Sequence, residues 1–185
     1  MIERRAVLKA GMWLGLGLSL ESRTAAGQDE GASGRPKEGD VLVKSGDASK
    51  KPLTPEDIPA GAIQTMAWAM DPGNQTVRSG SRLNQLILLR FDPEKLTADT
   101  RSRAAEGVVA YTSICTHTGC DVDDWLADEQ HVLCACHHST FDPRDGGKVI
   151  DGPAPRMLPA LPLKIVDGKL VVAQPFTTPV GFEKG

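Results

Sequence analysis

Apolar residues in this chain sit mostly at alternate positions in short runs, and turn-forming residues separate the runs. "VLVK" at 41–44 is the first run in the body. "IQTMAWAM" at 63–70 puts Met66, Trp68 and Met70 on one face of an extended segment, a stripe that reads as core packing, and "DPGN" at 71–74 ends it with a turn. "LNQLILLRF" at 83–91 is a strong strand candidate, and "GVVAYTSI" at 107–114 is β-rich and leads directly into Cys115. "LKIV" and "KLVV" flank Asp167-Gly168, the signature of a two-residue type I′ hairpin over 163–172. Helical pattern is confined to a short stretch near 93–105 and one turn at 55–58, inside a Pro-rich surface loop over 50–62. Period-2 signals outnumber period-3.6 signals. The pattern predicts one all-β domain over 41–185, with short strands, long loops and no internal repeat.

Composition agrees. The 185 residues include 19 Gly and 13 Pro, well above the usual share of about 12% and in keeping with a loop-rich β fold. Net charge is −3 and the body has no Lys/Arg cluster, so nucleic-acid binding has no support and no nucleic-acid partner is expected.

Residues 1–26 follow a different pattern: a basic start, "GMWLGLGLSL", then small residues. That order is an export signal. Arg4 and Arg5, followed by Val7, Leu8 and Lys9, resemble the twin-arginine signal, with cleavage expected near Thr24-Ala25-Ala26. The apolar stretch Ala10–Leu20 would rise about 16 Å as a helix, against a hydrocarbon core of about 30 Å, so it is too short to span a membrane alone. The protein is expected to be exported to the periplasm, soluble or attached by its N-terminus to the periplasmic face of the inner membrane. Residues 27–40 are polar and Gly-rich and read as a flexible linker.

The chemistry lies in two boxes, "CTHTGC" at 115–120 and "CACHHS" at 134–139. Together they give Cys115-x-His117-x16-Cys134-x-x-His137, with Cys120 and Cys136 left over, one per box. Three arrangements use these residues. Two disulfides would leave the two His without a reason for their placement. A structural zinc on two Cys and two His suits the ligand types, but Cys-x-His is not the usual knuckle spacing. A 2Fe–2S cluster with two Cys on one iron and two His on the other leaves Cys120 and Cys136 as a spare pair.

The boxes resemble those of Rieske iron–sulfur proteins, commonly C-T-H-x-G-C and C-P-C-H-G-S. "GPAP" at 152–155 resembles the proline loop that covers the cluster in Rieske subunits of quinol-oxidising cytochrome bc and bf complexes. The resemblance covers roughly 107–173. It implies an antiparallel β base carrying a small cluster-binding subdomain near 112–156. It implies Cys115 and Cys134 on the inner iron, and His117 and His137 on the outer iron. Cys120 and Cys136 would form a loop-to-loop disulfide, Ser139 would donate its hydroxyl to a bridging sulfide, and Gly152, Pro153, Ala154 and Pro155 would cover the centre. Neutral imidazoles in place of two thiolates make the cluster less negative. Potentials then rise to about −150 to +300 mV, against about −400 mV for all-Cys ferredoxins.

Three positions depart from the pattern. Phe141 replaces a Tyr whose hydroxyl bonds a ligand sulfur, which predicts a lower potential. Thr118 replaces a bulky Leu near the cluster. His138 replaces a Gly and is expected to face solvent. His131 reads as structural, 121–129 as a solvated acidic loop anchored by Trp125, and "FDPRDGG" at 141–147 as a turn.

The expected role is a one-electron carrier within an oxidoreductase, not a stand-alone catalyst. Its donor or acceptor would be a cytochrome c-like protein or a larger oxidoreductase subunit, with quinol as the small-molecule donor. The competing readings are a soluble small subunit of a periplasmic molybdenum oxidoreductase and a zinc-stabilised binding module. The export signal and the cluster support each other, because the twin-arginine route carries folded, loaded proteins. The Cys120–Cys136 bond would then form on or after export, because cytoplasmic thiols are kept reduced.

Overall fold

A computed structural model describes residues 31–182; the signal expected at 1–26 lies outside them. Among the described residues, eleven strands form two antiparallel sheets. The larger joins β10 (Leu163–Val166), β11 (Lys169–Val172), β1 (Val41–Lys44), β2 (Thr65–Asp71), β4 (Leu86–Arg90) and β5 (Val108–Thr112), in that spatial order. β3 (Thr76–Val77) pairs with β2 off this path. The smaller sheet runs β6 (Asp124–Leu126), β7 (His131–Cys134), β8 (Ser139–Asp142) and β9 (Lys148–Asp151). The helical pattern near 93–105 resolves into a 3-10 turn at Pro93–Lys95 and α1 (Ala98–Arg103). Thr97 caps α1, accepting from Thr100 N–H.

The large sheet is buried on both faces where it carries β4 and β5. Leu86, Leu88, Val108 and Ala110 face the base core with Leu42, Leu161, Leu163 and Leu170. Ile87, Leu89, Val109 and Tyr111 face the opposite way. They pack with Cys115, Val122, Val132, Cys134, Phe141 and Leu158. A strand covered on both sides reads as a continuous apolar run, which is why "LILL" lacks alternation. The chain leaves the large sheet after β5, builds the small sheet, and returns through a bridge between Tyr111 and Ala160. The small sheet is therefore an insertion seated on the outer face of β4 and β5.

The Met–Trp stripe occupies the less central face of β2. Met70 and Trp68 pack with Val41, Val43, Val77 and Val171, while Ala67 and Ala69, on the opposite face, fill the base core. The Pro-rich segment 50–62 is not wholly superficial, because Leu53 and Ile58 are core residues. Residues 31–40, the described part of the segment expected as a linker, lie against the body. Asp40 and Arg78 form a buried ion pair with Nη2–Oδ1 at 2.9 Å, and Asn84 Nδ2 donates to Gly34 O at 2.8 Å. The expected hairpin is β10–β11, with Asp167 and Gly168 both at positive φ. No helix among the described residues is long and apolar enough to cross a membrane.

Candidate metal centre

β5 feeds the first box. Its backbone closes on itself: Cys115 N–H donates to Cys120 O at 2.8 Å, and Gly119 N–H donates to Cys115 O at 3.1 Å. Gly119 takes φ +80°, which a side chain would resist. Cys115 and Thr116 are buried, His117 is half-buried and Thr118 is exposed. The Thr116 hydroxyl donates to Arg156 O at 2.6 Å.

The second box is the turn of the β7–β8 hairpin. Cys134 ends β7 and pairs in register with Ser139, which begins β8. Residues 135–138 form an exposed tip between these two buried residues. His138 sits at φ +59° and faces solvent. Histidine occupies left-handed backbone more readily than most residues, so it tolerates the place of a Gly.

Folding brings the boxes together. Cys120 and Cys136 form a disulfide with Cα atoms 6.5 Å apart. Cys115 and Cys134 are free and buried. The His117 and His137 rings meet edge to face, centroids 4.7 Å apart. Two sulfur donors therefore lie inside and two imidazoles lie outside them. The sulfurs of Cys120, Cys134 and Cys136 also lie within 4.8 Å of one another. Cys120 and Cys136 are bonded to each other, so only Cys134 of those three can offer a thiolate.

The donor set fits a metal centre. His117 Nδ1 is buried with no hydrogen-bond partner, a costly state for a ring nitrogen unless it binds something. Burial pushes the Cys134 thiol up to about 11, and the adjacent Cys115 thiol adds to the rise. The backbone N–H groups of Cys136 and His137 pull it partly back. The buried Cys134 thiol therefore resists ionisation until a cation lies beside it.

A third loop closes over the boxes. Gly152 sits at φ +87°, and a methyl group there would come within 2.5 Å of Ser139 Cα and 2.7 Å of His138 O. Ala154 N–H donates to Ser139 Oγ at 3.1 Å. Ser139 is fully buried and accepts that bond, which leaves its own proton to donate. Pro153 and Pro155 remain exposed.

Phe141 is fully buried in β8, in the core cluster that holds both free cysteines. His131 Nε2 lies 3.2 Å from Arg144 Nη2 and 3.7 Å from Asp142 Oδ2, a polar group built around the 141–147 turn. The acidic stretch 121–129 is not all loop. It contains β6, and Trp125 packs against the core behind the boxes. Sequence reasoning missed three supports of the first box: the Thr116–Arg156 bond, the bond from Arg82 Nη1 to Gly119 O at 2.7 Å, and that from Arg82 Nη2 to Asp121 Oδ1 at 2.6 Å. Single arginines have no spacing signature that marks such roles.

Residues 84–162 match the family model described as the Rieske [2Fe-2S] domain. The cytochrome bc1 complex Rieske iron-sulfur subunit of Streptomyces lividans is 35% identical over 137 residues, covering 72% of this chain and 80% of that one. The chain spans only 38% of the subunit of the same name from Streptomyces coelicolor and 34% of that from Mycobacterium bovis. A Haloferax mediterranei protein, provisionally described as the Rieske subunit of a respiratory nitrate reductase, is 41% identical over 76 residues, covering 40% of this chain and 34% of that one. Among solved structures, the soluble domain of Rieske protein II from Sulfolobus acidocaldarius aligns at TM-score 0.40 and 19% identity, covering 86% of this chain and 76% of that one.

Proposed function

Because this chain belongs to the Rieske iron–sulfur protein family, we propose that it is the iron–sulfur subunit of a quinol-oxidising respiratory complex, exported to the periplasmic side of the membrane. The family cofactor is one 2Fe–2S cluster, which supplies one-electron oxidation and reduction when bound. Cys115 and Cys134 would hold the inner iron as thiolates. His117 and His137 would hold the outer iron through one ring nitrogen each and keep the other N–H toward solvent. Ser139 would donate its hydroxyl to a bridging sulfide. The disulfide and residues 152–155 would keep the subdomain at 112–156 closed around the centre.

The observation that carries this reading is the buried, unpartnered His117 Nδ1 beside two buried free cysteines and a facing His137. The outer ring nitrogens give the site its proton chemistry. With the cluster bound, His117 and His137 would hold a proton on the outer ring nitrogen, and the electron-poor oxidised iron would make that proton easier to release than the reduced one. A site that gains an electron and a proton together suits a quinol, which gives up both. The Streptomyces lividans relative, named as a bc1 subunit, supports this partner class. A cytochrome c-like protein or a larger oxidoreductase subunit would take the electron onward.

A second reading, a soluble small subunit of a periplasmic molybdenum oxidoreductase, is favoured by Phe141 and by the exposed Thr118 at the tip. The test is an EPR-monitored redox titration of the exported protein from neutral to alkaline pH. The quinol reading expects a potential that falls as pH rises through the imidazole titrations. A pH-independent potential would remove the proton-coupled part of that reading, and with it the argument for quinol as the donor. A colourless protein with one zinc and no sulfide would overturn both.

A further inference from the structure

Residues 176–182 lie outside the matched span 84–162, yet they reach the cluster-binding loops. The segment is first fixed at Thr177. Its N–H donates to Ala160 O at 2.9 Å, and Ala160 N–H donates to Thr177 Oγ1 at 3.0 Å. The chain then crosses the Arg156 guanidinium, which donates to Pro179 O at 2.9 Å, Gly181 O at 2.6 Å and Thr178 Oγ1 at 3.5 Å. Beyond these bonds the Phe182 ring lies on Gly119, so close that a methyl group added there would meet it at 2.9 Å.

Both attachments lead to the ligand set. The carbonyl of Arg156 accepts from Thr116, the residue between Cys115 and His117. Gly119 is bonded through its N–H to Cys115 O. The segment thus grips the first box on either side of His117. Phe182 is 46% exposed, so burial alone is a weak reason for its position. The paired Arg156 bonds to the carbonyls just before it supply the placement, using the fixed fork of a guanidinium.

We infer that residues 178–182 and Arg156 form a strap that positions the first-box loop against the covering loop, and that Phe182 shields the Gly119 side of the centre from water. The disulfide ties the first box to the second, and Gly152 and Ala154 tie the second box to the covering loop. The strap closes the remaining side. Arg156 and Phe182 are positioning residues. The inference rests on the cluster reading, and the test keeps the two apart.

Iron and sulfide per chain are measured first in the wild type; their absence would defeat the cluster reading without touching the strap. Hydrogen exchange of amides 115–120 is then compared in the wild type, Phe182→Ala and Arg156→Lys, all full-length with the disulfide intact. Both variants should exchange at 115–120 at least tenfold faster, with less than twofold change at 134–139. Phe182→Leu, which restores an apolar cover, should return exchange toward wild type. In loaded protein the potential should move upward in Phe182→Ala, because the reduced site carries more negative charge and gains more from water. Unchanged exchange at 115–120 in both full-length variants would overturn the strap. So would acceleration spread equally over both boxes, which would indicate general loosening. Either variant alone suffices if the other fails to fold.

Discussion

Single side chains set the energy of this centre, and two of them give opposite predictions. Phe141 is buried with the free cysteines but has no hydroxyl. Adding one in Phe141→Tyr offers a sulfur a donor bond that favours the more negative, reduced state. A differential bond of about 1 kcal/mol corresponds to roughly 40 mV in a one-electron couple, so the potential should rise by tens of millivolts. Voltammetry of the purified variant checks this, and no rise would mean that the new hydroxyl does not reach a sulfur. Ser139→Ala removes a donor and should lower the potential by a similar amount. It also strands the buried Ala154 N–H, costing about 1–3 kcal/mol of stability in denaturant titration. The two boxes were legible in the sequence from the types and spacing of their Cys and His, and the fold brings those residues together. Thr116, Arg82 and Arg156 were not, because each acts through a carbonyl or carboxylate far away in sequence.

At the scale of elements, three loops meet and the backbone decides how closely. Gly152 tests this, because its neighbours at the Cβ position are backbone atoms that cannot swing away. Gly152→Ala should force the covering loop off Ser139 and break the Ala154 bond. With a left-handed penalty of about 1–2 kcal/mol added, the variant should lose its visible cluster absorbance several-fold faster on warming. Gly168→Ala is the matched control. It shares a positive φ, but nothing lies within 4 Å, so it should cost only the backbone penalty and leave cluster lifetime unchanged. Equal cluster lifetimes in the two variants would show that close packing at Gly152 is unimportant. The β10–β11 hairpin was legible because Asp167-Gly168 states its own turn geometry. β6 was hidden because it is only three residues long and opens on an exposed aspartate. The central role of Ala67 and Ala69 was hidden because alanine gives no hydrophobic signal beside Met and Trp.

Across the whole molecule, the all-β class followed from periodicity, but the two-sided burial of β4 and β5 did not, because a sequence does not say which surface an insertion will cover. That burial puts Cys115 and Cys134 in the same core as Ile87, Leu89, Val109 and Tyr111, so the state of the thiols bears on the stability of the whole domain. In the cluster-free chain, burial raises the Cys134 thiol from 9.0 to about 11. The fold then retains a proton that the unfolded chain gives up. Stability held below pH 9.0 is therefore lost as pH climbs from 9.0 toward about 11, by at most about 3 kcal/mol. Cluster-free Cys134→Ala lacks this titration, so its unfolding free energy should fall less across that window, measured by urea titration at a series of pH values. Parallel declines in the two proteins would sink the prediction. The loaded chain should respond in the opposite direction, because its folded state would hold Cys134 as a metal-bound thiolate that only acid can protonate. Alkali should weaken the empty domain and acid the filled one, and that reversal is the expected mark of a cluster bound within the shared core.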